Sequence, residues 1–124
     1  MSTGSQDKDL DFEIEFYEGI IKKKDDFVQA LVMLGDLYTQ KGRIEDGLAV
    51  DEKLVHLRPE DPYVFYNLAC SYSLLNRIDE AYKAMKDAIM LGYDDFIYLE
   101  RDPDLSHLRQ DPRFKEYLAQ AKKK

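Results

Sequence analysis

The chain has 124 residues, of which 44% are hydrophobic, and its formal net charge is −7. A chain of this length folds as one ordinary domain without the help of disulfides or metals, and its single cysteine, Cys70, excludes an internal disulfide. The acidic balance argues against nucleic acid and anionic membranes as partners, because Lys and Arg supply nearly all of that affinity. No signal peptide is visible near Met1 and the apolar runs are far shorter than the roughly 18 residues of a membrane span, so we expect a soluble, cytoplasmic protein.

Apolar residues recur with helical spacing along the chain, and no strand-like alternation competes with them. We predict a disordered tail over residues 1–9, helices over 10–24, 27–41, 44–57, 62–75, 78–91, 95–101 and 111–122, and a short helical turn near 103–109. Asp61, Asp102 and Asp111 each precede a proline, which predicts that they cap the helices that follow. Asp26 and Gln29 have the spacing of a capping box at the start of the second helix.

The sequence repeats itself with a period of 34 residues. This shift superimposes identical residues: Leu34 on Leu68, Tyr38 on Tyr72, Arg43 on Arg77, Ile44 on Ile78, Leu57 on Leu91 and Asp61 on Asp95. Gly42 and Asn76 occupy equivalent places after the first helix of each unit, and both residue types tolerate the left-handed backbone that ends a helix. A fixed period of this size indicates stacked helix pairs.

The two units resemble the tetratricopeptide repeat (TPR). The resemblance rests on large and small residues at regular places: Leu31, Leu34, Gly35, Tyr38, Gly47, Leu54 and Pro59, then Phe65, Leu68, Ala69, Tyr72, Ala81 and Ala88. It implies an all-α, right-handed superhelix of antiparallel helix pairs, a TPR-like solenoid. Its parts would be a partial repeat (10–27), two repeats (28–61 and 62–95), and a truncated repeat with a capping helix (96–124). Asp51 stands where an aromatic residue is usual and suggests a locally exposed contact, and Tyr93 replaces a proline.

Proteins of this family generally act as adaptors, so the resemblance implies a non-enzymatic module that holds a peptide or partner protein in a concave groove. Counting from the repeat register, the residues that would bind the partner are Val32, Asp36, Tyr63, Tyr66, Asn67, Cys70, Ile97 and Arg101. Tyrosines at these places offer apolar area together with a hydroxyl group. Alternatively, the C-terminal segment folds back and covers the tyrosines. Some members of the family bind the C-terminal carboxylate of their partner in this groove. That mode is disfavoured here, since Asp36 would repel a carboxylate.

The first helix carries a second candidate surface, an apolar stripe that includes Phe12, Phe16 and Ile20. The stripe either packs on the helix over 27–41 or forms an open edge, which would pair with a second copy to give a homodimer or with a helix of a partner protein. Catalysis is not expected, because His56 and His107 lie far apart in the sequence and neither belongs to a pair with metal-ligand spacing. We therefore expect no catalytic residue, no metal and no cofactor.

Overall fold

The computed structural model describes residues 3–124, with side chains from Lys8 onward, and this part of the chain is helical and has no strand. Its elements are α1 (Thr3–Lys23), α2 (Val28–Lys41), α3 (Ile44–Leu57), α4 (Pro62–Leu74), α5 (Ile78–Met90), α6 (Phe96–Leu99), a 3-10 turn (Pro103–Leu105), α7 (Ser106–Arg109) and α8 (Pro112–Lys122). The chain divides into two compact units, residues 1–57 and residues 58–124. The packing of helices in consecutive pairs confirms the predicted all-α, TPR-like fold class.

In the first unit, α2 packs against both α1 and α3. The core consists of large apolar side chains from all three helices: Ile14, Leu31, Leu34, Leu37, Leu48 and Leu54. Glycines line the crossing of α2 and α3, where a Cβ atom on Gly35 would lie 3.4 Å from Val50 Cγ1 and one on Gly47 would lie 3.4 Å from Thr39 Oγ1. Small residues at these two positions let the helix backbones approach closely, as the repeat pattern predicts.

In the second unit, α4 packs against α5, and the 3-10 turn and α7 pack against α4. Alanines again line the helix pair, since Ala69, Ala81 and Ala88 are completely buried. The C-terminal elements add four large side chains that are also completely buried: Leu99, Leu105, Leu108 and Phe114. The chain after residue 95 is therefore part of the hydrophobic core of this unit.

One side-chain arrangement recurs in both units at the 34-residue spacing. The Arg43 guanidinium carbon lies 4.6 Å from the ring centre of Tyr38, and that of Arg77 lies 4.9 Å from the ring centre of Tyr72. Each arginine also donates its backbone N–H to the carbonyl oxygen of the same tyrosine, at 2.8 Å. Cation–π contact and hydrogen bond together fix the turn between the two helices of each pair.

The predicted helix ends are confirmed where the signal is local. Asp61, Asp102 and Asp111 each accept a hydrogen bond from a backbone N–H of the following turn. Gly42 (φ 86°) and Asn76 (φ 60°) both adopt the left-handed conformation. These residues therefore determine where α2 and α4 end and where the three capped elements begin.

Three expectations are wrong. Residues 3–9 continue α1 instead of forming a tail, because no proline interrupts the segment and extending a formed helix is far easier than nucleating one; Met1 and Ser2 lie outside the described residues. Asp26 does not cap α2, whose N-cap is Phe27, and forms an ion pair with Lys24 at 3.2 Å. Asp51 is buried, with its Oδ1 facing Gly35, where the missing side chain leaves room for it.

Candidate functional site

The candidate site lies in the second unit and is built on α4. Asp61 begins this helix by accepting a hydrogen bond from the Tyr63 N–H at 2.9 Å, and Pro62 occupies the first helical position. Residues three and four apart lie on one side of a helix, so Tyr63, Tyr66 and Cys70 follow one another along α4. The local sequence therefore orders two tyrosines and the cysteine along one side of the helix.

Four tyrosines, Tyr63, Tyr66, Tyr93 and Tyr98, form a cluster of aromatic rings that we call the tyrosine cluster. The rings of Tyr66 and Tyr93 stack with centres 4.5 Å apart and planes 18° apart. Tyr93 meets Tyr63 edge-on at 5.8 Å, and the Tyr98 ring centre lies 6.2 Å from that of Tyr66. These are the offset and edge-on geometries that aromatic rings prefer.

The tyrosine cluster has a buried half and an exposed half. Tyr66 and Tyr93 are buried, whereas 64% of Tyr63 and 55% of Tyr98 remain exposed. Ile97, which precedes Tyr98 on α6, is 69% exposed. The stacked inner pair thus supports an outer surface of large side chains that water still reaches.

Residues 102–109, which we call the closing segment, cover the middle of α4. The Tyr66 hydroxyl donates a hydrogen bond to Asp102 Oδ2 at 2.6 Å, and the Cys70 thiol lies 3.8 Å from the same oxygen. Asp102 is itself buried, and its other oxygen accepts from the Asp104 N–H at 3.0 Å. One carboxylate therefore both begins the 3-10 turn and fastens it to α4.

Further polar contacts extend the same attachment. Ser73 Oγ accepts a hydrogen bond from the Leu108 N–H at 3.2 Å, and His107 Nδ1 lies 3.2 Å from the Ser73 carbonyl oxygen. The Arg109 guanidinium donates to the carbonyl oxygens of Leu99 and Asp102. The closing segment is thus held along nearly the full length of α4 after Tyr66.

Burial keeps the inner tyrosines protonated. Desolvation raises the pKa of the Tyr93 hydroxyl to about 12, and desolvation followed by the hydrogen bond to Asp102 raises the pKa of Tyr66 further. Both hydroxyl groups are therefore neutral hydrogen-bond donors across the physiological pH range. The chemistry that this arrangement offers is aromatic packing and hydrogen bonding.

The predicted binding residues fall into three groups. Tyr66 and Cys70, which we expected on the groove surface, are buried under the closing segment, as in the alternative in which the C-terminal segment folds back. The other four predicted residues of the second unit, Tyr63, Asn67, Ile97 and Arg101, are exposed. Val32 and Asp36 are exposed on α2, in the first unit.

Three residues of the site were missed by sequence reasoning. In the sequence, Tyr93 stands out only as a departure from a proline, Tyr98 carries no signal beside Ile97, and Asp102 shows only the pattern of a helix cap. A usable signal is the concentration of tyrosines near the start of α4 and just after α5. The hydrogen bond from Tyr66 to Asp102 has no local sequence signal, because the two residues are 36 positions apart.

On α1, most of the predicted apolar stripe lies outside the packed side of the helix. Phe12 and Phe16 are 71% and 56% exposed and Ile20 is partly exposed, whereas Ile14, which was not part of the predicted stripe, is buried. The side of α1 that faces α2 is anchored by Tyr38, whose hydroxyl donates to Glu18 Oε2 at 2.5 Å. The interpretation that the whole stripe packs on α2 is therefore wrong for Phe12 and Phe16.

Two further kinds of site, a metal centre and a membrane span, are considered for the described residues only. Among the described residues, no three His, Cys, Asp or Glu side chains come close enough together to hold a metal ion. No helix in the described part of the chain is both long and apolar enough to cross a membrane.

Comparison with known proteins identifies the repeats. The model of the tetratricopeptide repeat matches residues 28–61 and 62–91, which together make up more than half of the chain. The chain belongs to the tetratricopeptide repeat family. A chloroplastic protein from Arabidopsis thaliana is 32% identical to this TPR protein over 108 residues, which are 83% of this chain and 32% of that protein. The TPR protein thus spans about a third of the length of this relative.

Family membership indicates a general kind of function. Tetratricopeptide repeats are in general protein–protein interaction modules, because stacked helix pairs present extended surfaces to a partner. Which surface binds in this chain depends on its own residues.

Proposed function

We propose that this TPR protein is a non-enzymatic adaptor that binds a peptide or partner protein through the exposed half of the tyrosine cluster, Tyr63 and Tyr98, together with Ile97. The supporting observation is that these large side chains remain more than half exposed while the inner pair, Tyr66 and Tyr93, is buried and stacked. Aromatic side chains on a rigid support lose little conformational entropy on binding, which favours them as anchors at interfaces.

The polar neighbours would select the partner. Asn67 and Arg101 are exposed in the same unit and can hydrogen-bond to a peptide backbone or to its side chains. Exposed acidic residues, Asp94 and Asp95, directly follow Tyr93. We therefore expect a partner segment with apolar anchor residues and no excess of negative charge.

Capture of partners from the native cell tests the proposal. The wild-type chain is compared with the double variant Tyr63→Ser/Ile97→Ser and with Met90→Ser as control, because Met90 is 75% exposed on α5 but lies outside the tyrosine cluster. We expect a set of proteins that is captured by the wild type and the control and lost with the double variant, while circular dichroism stays the same. An identical set of captured proteins for all three would contradict the proposal.

A second candidate function is self-association through α1, which the exposure of Phe12 and Phe16 favours. The two surfaces lie in different units. Val32 and Asp36 stay predicted partner-binding residues of the first unit. The cytoplasmic location stays a proposal, which fluorescence microscopy of the tagged full chain would test.

A further inference from the structure

The outer side of α1 carries apolar residues that the fold leaves uncovered. Phe12, Phe16 and Ile20 are spaced by four residues and so lie in one line along the helix. They lie on the side away from Ile14, which is buried against the rest of the first unit. The two neighbouring phenylalanines, each more than half exposed, form an apolar patch that a partner could cover.

Charged residues flank this line in a symmetric order. Asp9 lies seven residues before Phe16 and Lys23 lies seven residues after it, and both side chains are exposed. Seven residues are close to two helical turns, so both charges lie on the same side of α1 as Phe16. Phe12 and Ile20 are likewise each four residues from Phe16.

This order is complementary to itself when two α1 helices run in opposite directions. If the Phe16 side chains of two copies meet at a two-fold axis, Asp9 faces Lys23 of the second copy and Phe12 faces its Ile20. A parallel pair would instead place Asp9 opposite Asp9 and Lys23 opposite Lys23, which is repulsive. Charge complementarity therefore favours a second, antiparallel copy of the chain as the occupant.

Gly19 leaves space for the second helix. It lies on the same side of α1, and a Cβ atom built on it would meet no atom within 4 Å. A residue without a side chain beside Phe16 lets a neighbouring backbone approach closely. The aromatic ring of the second copy can thus lie against the helix backbone.

We propose that two copies of this TPR protein associate through their α1 helices in antiparallel orientation, with the two Phe16 side chains at the two-fold axis and Asp9 of each copy paired with Lys23 of the other. The inference rests on the self-association candidate above and adds its geometry. The exposed parts of Phe12 and Phe16 contribute roughly 250 Å² per copy, well below the roughly 800 Å² per partner of a standard interface. The dimer is therefore reversible and depends on protein concentration.

Sedimentation velocity over a hundredfold range of concentration tests the association. We expect the wild-type mass to rise from the 14.5 kDa of one chain towards twice that value. Phe16→Asp should weaken the dimer at least tenfold. Ile97→Asp, a change in the second unit at a position that is 69% exposed against 56% for Phe16, should leave the dimer unchanged. A wild type that stays monomeric at every concentration, or a dimer that Phe16→Asp leaves intact, would overturn the proposal.

Charge reversal tests the orientation. Asp9→Lys and Lys23→Asp should each weaken the dimer, because each places like charges opposite one another, and the double variant Asp9→Lys/Lys23→Asp should restore it. A dimer that Phe16→Asp abolishes but that the double reversal does not restore would refute the antiparallel geometry and leave self-association standing. Because Ile97→Asp alters only the proposed partner surface, loss of partner capture without loss of the dimer separates the two functions.

Discussion

The hydrogen bond from Tyr66 to Asp102 provides the sharpest quantitative test of the closing segment. Tyr66→Phe keeps the ring, and with it the stacking on Tyr93, but removes the hydroxyl that donates to Asp102 Oδ2 at 2.6 Å. The Cys70 thiol at 3.8 Å is a weak donor and replaces little of this interaction. The substitution therefore removes the hydrogen bonds of the Tyr66 hydroxyl, chiefly the one to the buried Asp102 carboxylate, because Tyr93 also hydrogen-bonds to this hydroxyl.

The expected cost follows from the burial of both partners. A hydrogen bond to a charged group contributes about 1.5–3 kcal/mol to stability, and a buried acceptor left without its donor adds to the loss. We therefore expect Tyr66→Phe to lower the free energy of unfolding by about 2 kcal/mol, which for a chain of this length corresponds to a fall in Tm of about 8 °C. Tyr63→Phe is the matched control, and because Tyr63 is mostly exposed we expect a change within about 0.5 kcal/mol.

A local measurement complements the thermal one. Cys70 is the only cysteine in the sequence and is buried beside Asp102, so a thiol reagent reaches it only when the closing segment opens. If Tyr66→Phe removes about 2 kcal/mol from the closed state, Cys70 should react roughly thirtyfold faster, while Tyr63→Phe should react at the wild-type rate. Equal melting temperatures and equal thiol reactivity in the two variants would refute the role that we assign to this hydrogen bond.

A double-mutant cycle shows whether the loss of stability in Tyr66→Phe comes from the interaction between Tyr66 and Asp102. Asp102→Ala removes the cap of the 3-10 turn as well as the acceptor for Tyr66, and we expect a cost of about 3 kcal/mol. The double variant Tyr66→Phe/Asp102→Ala should cost less than the sum of the single changes, because both remove the same bond. Strictly additive costs would show that the two residues act independently.

Three further predictions concern pH and backbone geometry. Hydrogen bonds from the Arg113 side chain and from the first turn of α8 lower the pKa of Asp111 to about 2. The ionised Asp111 therefore stabilises the fold above pH 4, and this contribution is lost as the pH falls towards 2. Urea unfolding of Asp111→Asn should accordingly show a flatter pH dependence of stability in that range. Burial raises the pKa of Tyr93 to about 12, so the contribution of its neutral hydroxyl to stability is complete below pH 10 and is lost as the pH rises towards 12. Ultraviolet titration should therefore show tyrosines that ionise only on unfolding. Titration of all nine tyrosines near pH 10 would contradict this. Gly42→Ala should lower the free energy of unfolding by about 1 kcal/mol, because the φ angle of Gly42 is 86°. Gly42→Asn should cost less, since Asn76 adopts the same left-handed conformation in the second unit. Equal melting temperatures for Gly42→Ala and the wild type would contradict this.

The helices and the repeat could be read from the sequence because their signals are local. Asp61 and Asp111 determine where helices begin through hydrogen bonds that span two or three residues, and Gly42 ends α2 through its own backbone angles. The 34-residue period repeats these signals, which is why the family and the fold class followed without the structure. The start of α1 was missed for the same reason, since its first residues carry no signal that either begins or breaks a helix.

The state of the candidate site was decided by packing between distant segments. Tyr66 has the same helical spacing as an exposed groove residue, and only the approach of Asp102, 36 residues later, buries it. On α1, periodicity predicted an apolar stripe but not that Phe12 and Phe16 stay exposed, because which side faces α2 depends on how the two helices pack. Local signals along the chain thus sufficed to predict which helices form and where most of them end, since the hydrogen bonds and backbone angles that decide this lie within one helical turn. Which aromatic residues remain open to a partner depends on contacts between residues far apart in the chain, and these contacts form only when the helices pack.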